Sequence, residues 1–190
     1  MQKFTNGSVV LLVIALSAIL AACGSGGSAT GSSDQYKGGV GVAQQLMETS
    51  DGNIHVPDTE TVAYNTVPAT SGKHWSQWAQ CDFYEDGLPD ERITHNLEHS
   101  NIVVSYNLTG PEDVNRLRQV LEDTAFYPAW GVARFYDKIP EGQVALATWG
   151  VLDTMEGIDP DRIQRFFDAY SGSLGPEKVD CRNAPFRMDS

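Results

Sequence analysis

The chain has four histidines, His55, His74, His95 and His99, all within 45 positions, and none in the 91 residues that follow. His95 and His99 frame the run His95-Asn96-Leu97-Glu98-His99. On even one helical turn, residues four apart stand on the same face, about 5–6 Å apart at Cβ. That spacing lets two imidazoles converge on one metal ion. The run also reads H-x-x-E-H, the inverted zinc-protease pattern, in which Glu98 would activate a metal-bound water. His55 and His74 lie in loop-like segments beside Pro and Gly, where a scaffold commonly presents ligands. Glu98 and Asn96 are close enough in sequence to orient a histidine through hydrogen bonds.

Four imidazoles without a free thiolate suit Zn, Cu, Ni or Fe. A thioether tips the choice toward copper, and Met155 follows a predicted strand ending at Trp149, amid the polar residues Asp153, Thr154 and Glu156. The expected site is therefore His74, His95 and His99 on one ion, with Met155 or His55 completing the shell. Copper is the preferred ion and zinc the alternative. No Ser-His-Asp arrangement or phosphate-cradling glycine loop is present, and no catalytic residue is assigned. Three functions follow: a metal-binding protein that stores copper or delivers it to a protein partner, a zinc hydrolase using H-x-x-E-H, or a metal-free binding module.

Composition and the leader narrow these. The 25 acidic against 13 basic residues give a net charge of -12, which argues against nucleic acid, whose phosphates are met by Lys and Arg. Lys3 followed by the apolar run Val9 to Leu20 reads as a secretory signal. Leu20-Ala21-Ala22-Cys23 resembles a bacterial lipobox, with Cys23 the lipidated residue of the mature chain. Residues 1–22 are thus expected to be a lipoprotein signal peptide, and 23–41, rich in Gly and Ser, a flexible tether. Residues 42–190 remain for one domain. The expected location is the bacterial cell envelope, anchored by lipid on the extracytoplasmic side of a membrane. In an exported chain Cys81 and Cys181 form an even pair that favours a disulfide. The alternative is two free thiols, one of them a ligand.

The elements that must position the histidines read as follows. A short helix over 43–47 and a strand over Thr61–Tyr64 come first. The histidine turn leads into a strand at Ile102–Tyr106. Pro111-Glu112-Asp113 opens a helix with Val114, Leu117, Val120 and Leu121 as its apolar stripe. Strands over Val132–Tyr136 and Val144–Trp149 follow. Pro160-Asp161 opens a last helix carrying Ile163, Phe166, Phe167 and Tyr170. The expected fold class is α+β, a mostly antiparallel sheet with two main helices packed on one face.

The residues also carry a resemblance. Gly52-Asn53-Ile54-His55-Val56, Pro68-Ala69-Thr70-Ser71-Gly72-Lys73-His74, Trp78 and His95-Asn96-Leu97-Glu98-His99 resemble the domain-of-unknown-function family 3105. So do Ala147-Thr148-Trp149-Gly150, Phe166-Phe167-Asp168-Ala169-Tyr170 and Gly175-Pro176-Glu177. The resemblance implies an exported or membrane-tethered bacterial protein and puts all four histidines on motif positions. The chain departs from the family's usual Pro at Ala69 and its usual Gly at Ser100. The family promises no activity.

Overall fold

The structure, a computed structural model, describes Met1, residues 36–49 and residues 54–183. Cys23, the signal segment beyond Met1 and the tether up to residue 35 lie outside the described residues.

Six strands form the main sheet: β1 (Val42–Ala43), β4 (Phe83–Tyr84), β5 (Ile102–Tyr106), β6 (Gly131–Phe135), β7 (Gln143–Thr148) and β8 (Val151–Glu156). Their spatial order is β1-β8-β7-β5-β6-β4. The β1–β8, β8–β7 and β7–β5 pairs are antiparallel, while β6 runs parallel to both β5 and β4. The fold is thus α+β with a mostly antiparallel sheet. A parallel neighbour needs a crossover, and helices α2 (Pro111–Asp123) and α3 (Tyr127–Trp130) supply it between β5 and β6.

Strand alternation sorts the side chains into two layers. On one face Ile102, Val104, Tyr106, Val144, Leu146, Val151 and Met155 pack against Leu117 and Leu121 of α2. The same layer takes Ile163, Phe166, Phe167 and Tyr170 from α4 (Pro160–Tyr170). These are the two main helices expected, with the apolar stripes expected. On the other face Val103, Val132 and Ala147 meet Ile93 and Leu97 of α1 (Asp90–Glu98), together with Ala79 and Cys181. With both faces covered, β5 is buried along its whole length.

Three local expectations change. Residues 44–49 form no helix, and Val42–Ala43 pair with β8 instead. Thr61–Tyr64 joins no strand, although Val62 N–H donates to Glu91 at 2.9 Å. Beyond Thr148 the chain turns through Trp149-Gly150, with Gly150 at φ +71°, into β8. The pattern of β8 was disguised by Asp153, which sits on its buried side between Val151 and Met155. Asp153 is tolerated there because Arg162 of α4 donates to both its oxygens.

A second, two-stranded sheet matters more for function. β2 (His55–Val56) and β3 (His74–Trp75) run parallel, with His55 opposite His74 and Val56 opposite Trp75. It packs along α1, so the small sheet and the helix face one another.

The chain after α4 straps the end of α1. Gly172, Glu177 and Val179 donate their N–H groups to the carbonyls of Ser100, Glu98 and His99 at 3.1, 2.9 and 3.1 Å. These bonds satisfy carbonyls that a helix end leaves without partners. A Cβ on Gly175 would lie 2.2 Å from the Glu98 carbonyl oxygen, so only glycine admits this approach. Ser100 stands at φ +64°, which explains the glycine usual there in the resembling family. Its hydroxyl donates to the Glu177 carbonyl at 2.5 Å, a bond that glycine lacks. The strap ends in the Cys81–Cys181 disulfide, as the cysteine arithmetic favours.

Candidate metal centre

α1 and the small sheet bring together His55, His74, His95 and Glu98. One ligand atom from each lies within 4.8 Å of the others. The cross-strand pairing puts His55 beside His74. The i, i+3 relation of His95 and Glu98 puts both on the helix face that meets them. Glu98 Oε2 is 3.1 Å from His74 Nε2 and 3.7 Å from the Nε2 atoms of His55 and His95. A tetrahedral site with ligands at 2.0–2.1 Å has edges of about 3.3 Å, so small shifts close this set around one ion.

Two of the imidazoles are oriented from behind. His74 Nδ1 lies 2.9 Å from the Gly72 carbonyl oxygen, and His95 Nδ1 lies 2.7 Å from that of Trp75. A carbonyl oxygen only accepts, so both Nδ1 atoms carry the hydrogen. In the neutral rings both Nε2 atoms then turn a lone pair toward Glu98. An imidazole lone pair 3.1 Å from a carboxylate oxygen is repulsive, so the gap between His74 and Glu98 calls for a positive bridge, a shared proton or a metal ion. Nδ1–H on a backbone carbonyl is the arrangement by which proteins fix the tautomer of metal-ligating histidine. Gly72, at φ +120°, has no room for a Cβ against Met47, and its turn aims that carbonyl.

Burial and the neighbouring groups set the charge of three members of this region. Burial, helped by the neighbouring His74 and His99, lowers the pKa of His95 to about 4 against the pull of Glu98 and the Trp75 carbonyl. Burial also lowers that of His99, opposed by Glu177 and Glu98. For Glu98 burial pushes upward, but the contact with His74 and the surrounding histidines outweighs it, and the carboxyl titrates below its usual value. The carboxylate therefore stays charged and the His95 ring neutral at ordinary pH.

Three of the expected site residues lie outside the four-atom group. Met155 does not reach the histidines. It lies in β8 facing α2 and α4, across the sheet from α1, because the period of two puts it beside Val151 and Asp153. Its expected loop is a strand, and its sulfur fills core space. His99 stands apart from the four-atom group. Its Nε2 is 3.2 Å from His95 Nε2 and 3.2 Å from Glu177 Oε2 on the strap, and its Nδ1 meets no partner among the described residues. Asn96 orients no histidine: it accepts from Ala79 N–H and donates to the Ala79 carbonyl, both at 2.8 Å, and donates to Asn101 Oδ1. It ties α1 to the segment that leads into Cys81.

Glu98 stands within the four-atom group that could hold an ion, rather than behind a pair of histidines as a separate base would. Sequence reasoning passed over Glu177, although Gly175-Pro176-Glu177 was among the resembling runs. The aromatic walls are Trp78, stacked on His95 at 6.2 Å and edge-on to His99 at 4.3 Å, and Trp149, edge-on to His74 at 6.5 Å. Tryptophan at these places excludes water without competing as a ligand.

A family model described as protein of unknown function (DUF3105) matches residues 55–183. The chain belongs to that family. The DUF3105 match opens on His55 and runs past Cys181, so it takes in the whole cluster, both tryptophan walls, the strap and the disulfide. No curated protein and no solved structure matches the chain.

Proposed function

We propose that this DUF3105 protein is a lipid-anchored, extracytoplasmic protein that binds one divalent transition metal through Nε2 of His55, His74 and His95 and a carboxylate oxygen of Glu98. The observation that carries the reading is the pair of Nδ1–H···O=C bonds behind His74 and His95, which leave both Nε2 atoms facing into the cluster around the buried Glu98 carboxylate.

Three imidazoles and a carboxylate are borderline to hard donors. Copper keeps the support of its high rank at nitrogen sites but loses the expected thioether. The site is therefore read as one for Cu(II) or Zn(II), not Cu(I). Metal analysis of protein taken from its own compartment, carrying no metal-binding tag, should find about one equivalent. His74→Ala and Glu98→Ala should each abolish stoichiometric loading, while His99→Ala and Met155→Leu should keep it. An unloaded parent, or a His74→Ala variant that loads normally, refutes the reading.

The anchor rests on the lipobox resemblance at Leu20-Ala21-Ala22-Cys23 and the Gly/Ser segment after it. Cys23→Ser should move the protein out of the membrane fraction or leave its leader uncleaved. A variant that fractionates and migrates like the parent removes the anchor from the proposal.

A further inference from the structure

We infer that the site is built to hand its ion over, and that His55 is the ligand an acceptor replaces. This rests on the metal-binding reading above and adds a direction of transfer to it.

The four ligands are not held alike. The His74 side chain is fully buried, and those of His95 and Glu98 are 8% and 9% exposed. His74 and His95 are each fixed by a hydrogen bond away from the ion's position, to the Gly72 and Trp75 carbonyls, while Glu98 is held through its backbone, whose carbonyl accepts from Glu177 N–H on the strap. His55 differs on every count. Its side chain is 44% exposed. Among the described residues its ring's polar contact is Glu98 itself, at 3.7 Å. The ring is otherwise placed by packing, stacked on His95 at 4.9 Å and edge-on to His74 at 5.0 Å. The backbone beneath it is a two-residue strand paired to β3.

A ligand without a tautomer-fixing partner, on the solvent side, is the weakest member of a coordination shell. Trp78 and Trp149 wall the neighbouring sides, so an incoming donor reaches the ion where His55 stands. The exchange is a simple substitution. The acceptor's imidazole lone pair forms a bond to the ion as His55 Nε2 withdraws its own. No electron changes centre and no proton is needed. The other three ligands hold the ion until a second acceptor donor arrives. The acceptor is accordingly a protein that brings a nitrogen donor to the exposed side of His55.

The test uses the zinc-loaded chain and the coloured nitrogen-donor chelator 4-(2-pyridylazo)resorcinol. Release from the parent should speed up in proportion to chelator concentration, because the chelator takes part in the first step. His55→Ala should bind zinc more weakly than the parent and should release it at least tenfold faster. A parent rate independent of chelator concentration overturns the inference, since the protein would then open before exchange. So does a His55→Ala variant that releases no faster, or that no longer loads at saturating zinc. A parent that takes up no zinc brings down the metal reading as well, whereas a loaded parent with the wrong kinetics brings down this inference alone.

Discussion

At the scale of single residues, His95 shows how one ring can be read from both of its nitrogens. Nδ1–H is committed to the Trp75 carbonyl, and burial keeps the ring neutral down to a pKa of about 4. In the unfolded chain an ordinary histidine takes its proton near pH 6.5. Between those two values the unfolded state binds more protons than the folded one, so stability must fall as the pH is lowered. The metal-free protein should lose roughly 2 kcal/mol between pH 7 and pH 5 from His95 alone. His99 shifts in the same direction and adds to the loss. Denaturant unfolding of the metal-free protein at the two pH values measures it, and His95→Gln should flatten the slope. A parent equally stable at both values contradicts the assignment. The four histidines were legible in the sequence as a group, and so was the i, i+4 pair. Which of them converge was not. His95, Glu98 and His99 share a helix face, and the choice among them is made by partners distant in the chain. His55 and His74 face Glu98, while Glu177 draws His99 aside.

At the scale of elements, α1 works at both ends. Its C-terminal turn carries two of the proposed ligands, His95 and Glu98. Its first residue, Asp90, joins a buried network on the same side of the sheet. Arg134 of β6, fully buried, donates to Asp90 Oδ1 at 2.6 Å, to the Leu88 carbonyl at 2.7 Å and to Ser105 Oγ at 3.1 Å. Tyr136 O–H and Lys138 Nζ donate to Asp90 Oδ2 at 2.8 and 2.9 Å. Burial pushes the Asp90 carboxyl upward, but the Arg134 guanidinium and the three donors win, and it titrates below the usual range. The network pins the first turn of the helix to β5 and β6. Asp90→Ala leaves a buried guanidinium without its counter-ion, which costs about 3–5 kcal/mol. Chemical denaturation should show that loss, and a variant within 1 kcal/mol of the parent would mean the pair acts as an exposed one. The strand bearing Arg134 was legible in the run Val132–Tyr136. The inward arginine was not, because its partner sits 44 positions away. The β2–β3 pair was illegible for a similar reason: two residues have no periodicity, and the pairing spans Val56 to His74.

At the scale of the whole molecule, the ligands stand on elements that are far apart in sequence and are closed from both ends. The Cys81–Cys181 bridge joins positions separated by 100 residues. It fastens the strap under α1 to the segment carrying Trp78, and Cys81 N–H donates to the Cys181 carbonyl at 3.1 Å beside it. Between them these pieces hold Glu177 against His99 and Trp78 against His95. None of the four ligand atoms lies on the strap or on the 78–81 segment. Stability and metal affinity should therefore respond differently to loss of the bridge. The double variant Cys81→Ser/Cys181→Ser should be destabilised by about 2–5 kcal/mol, read by denaturant unfolding of the metal-free protein. Its affinity for zinc, measured at a temperature where it remains folded, should fall by less than about tenfold, which corresponds to 1.4 kcal/mol. A much larger drop in affinity with little loss of stability would mean that the bridge shapes the site directly. The ligands would then depend on the strap for their positions, and not on α1 and the small sheet.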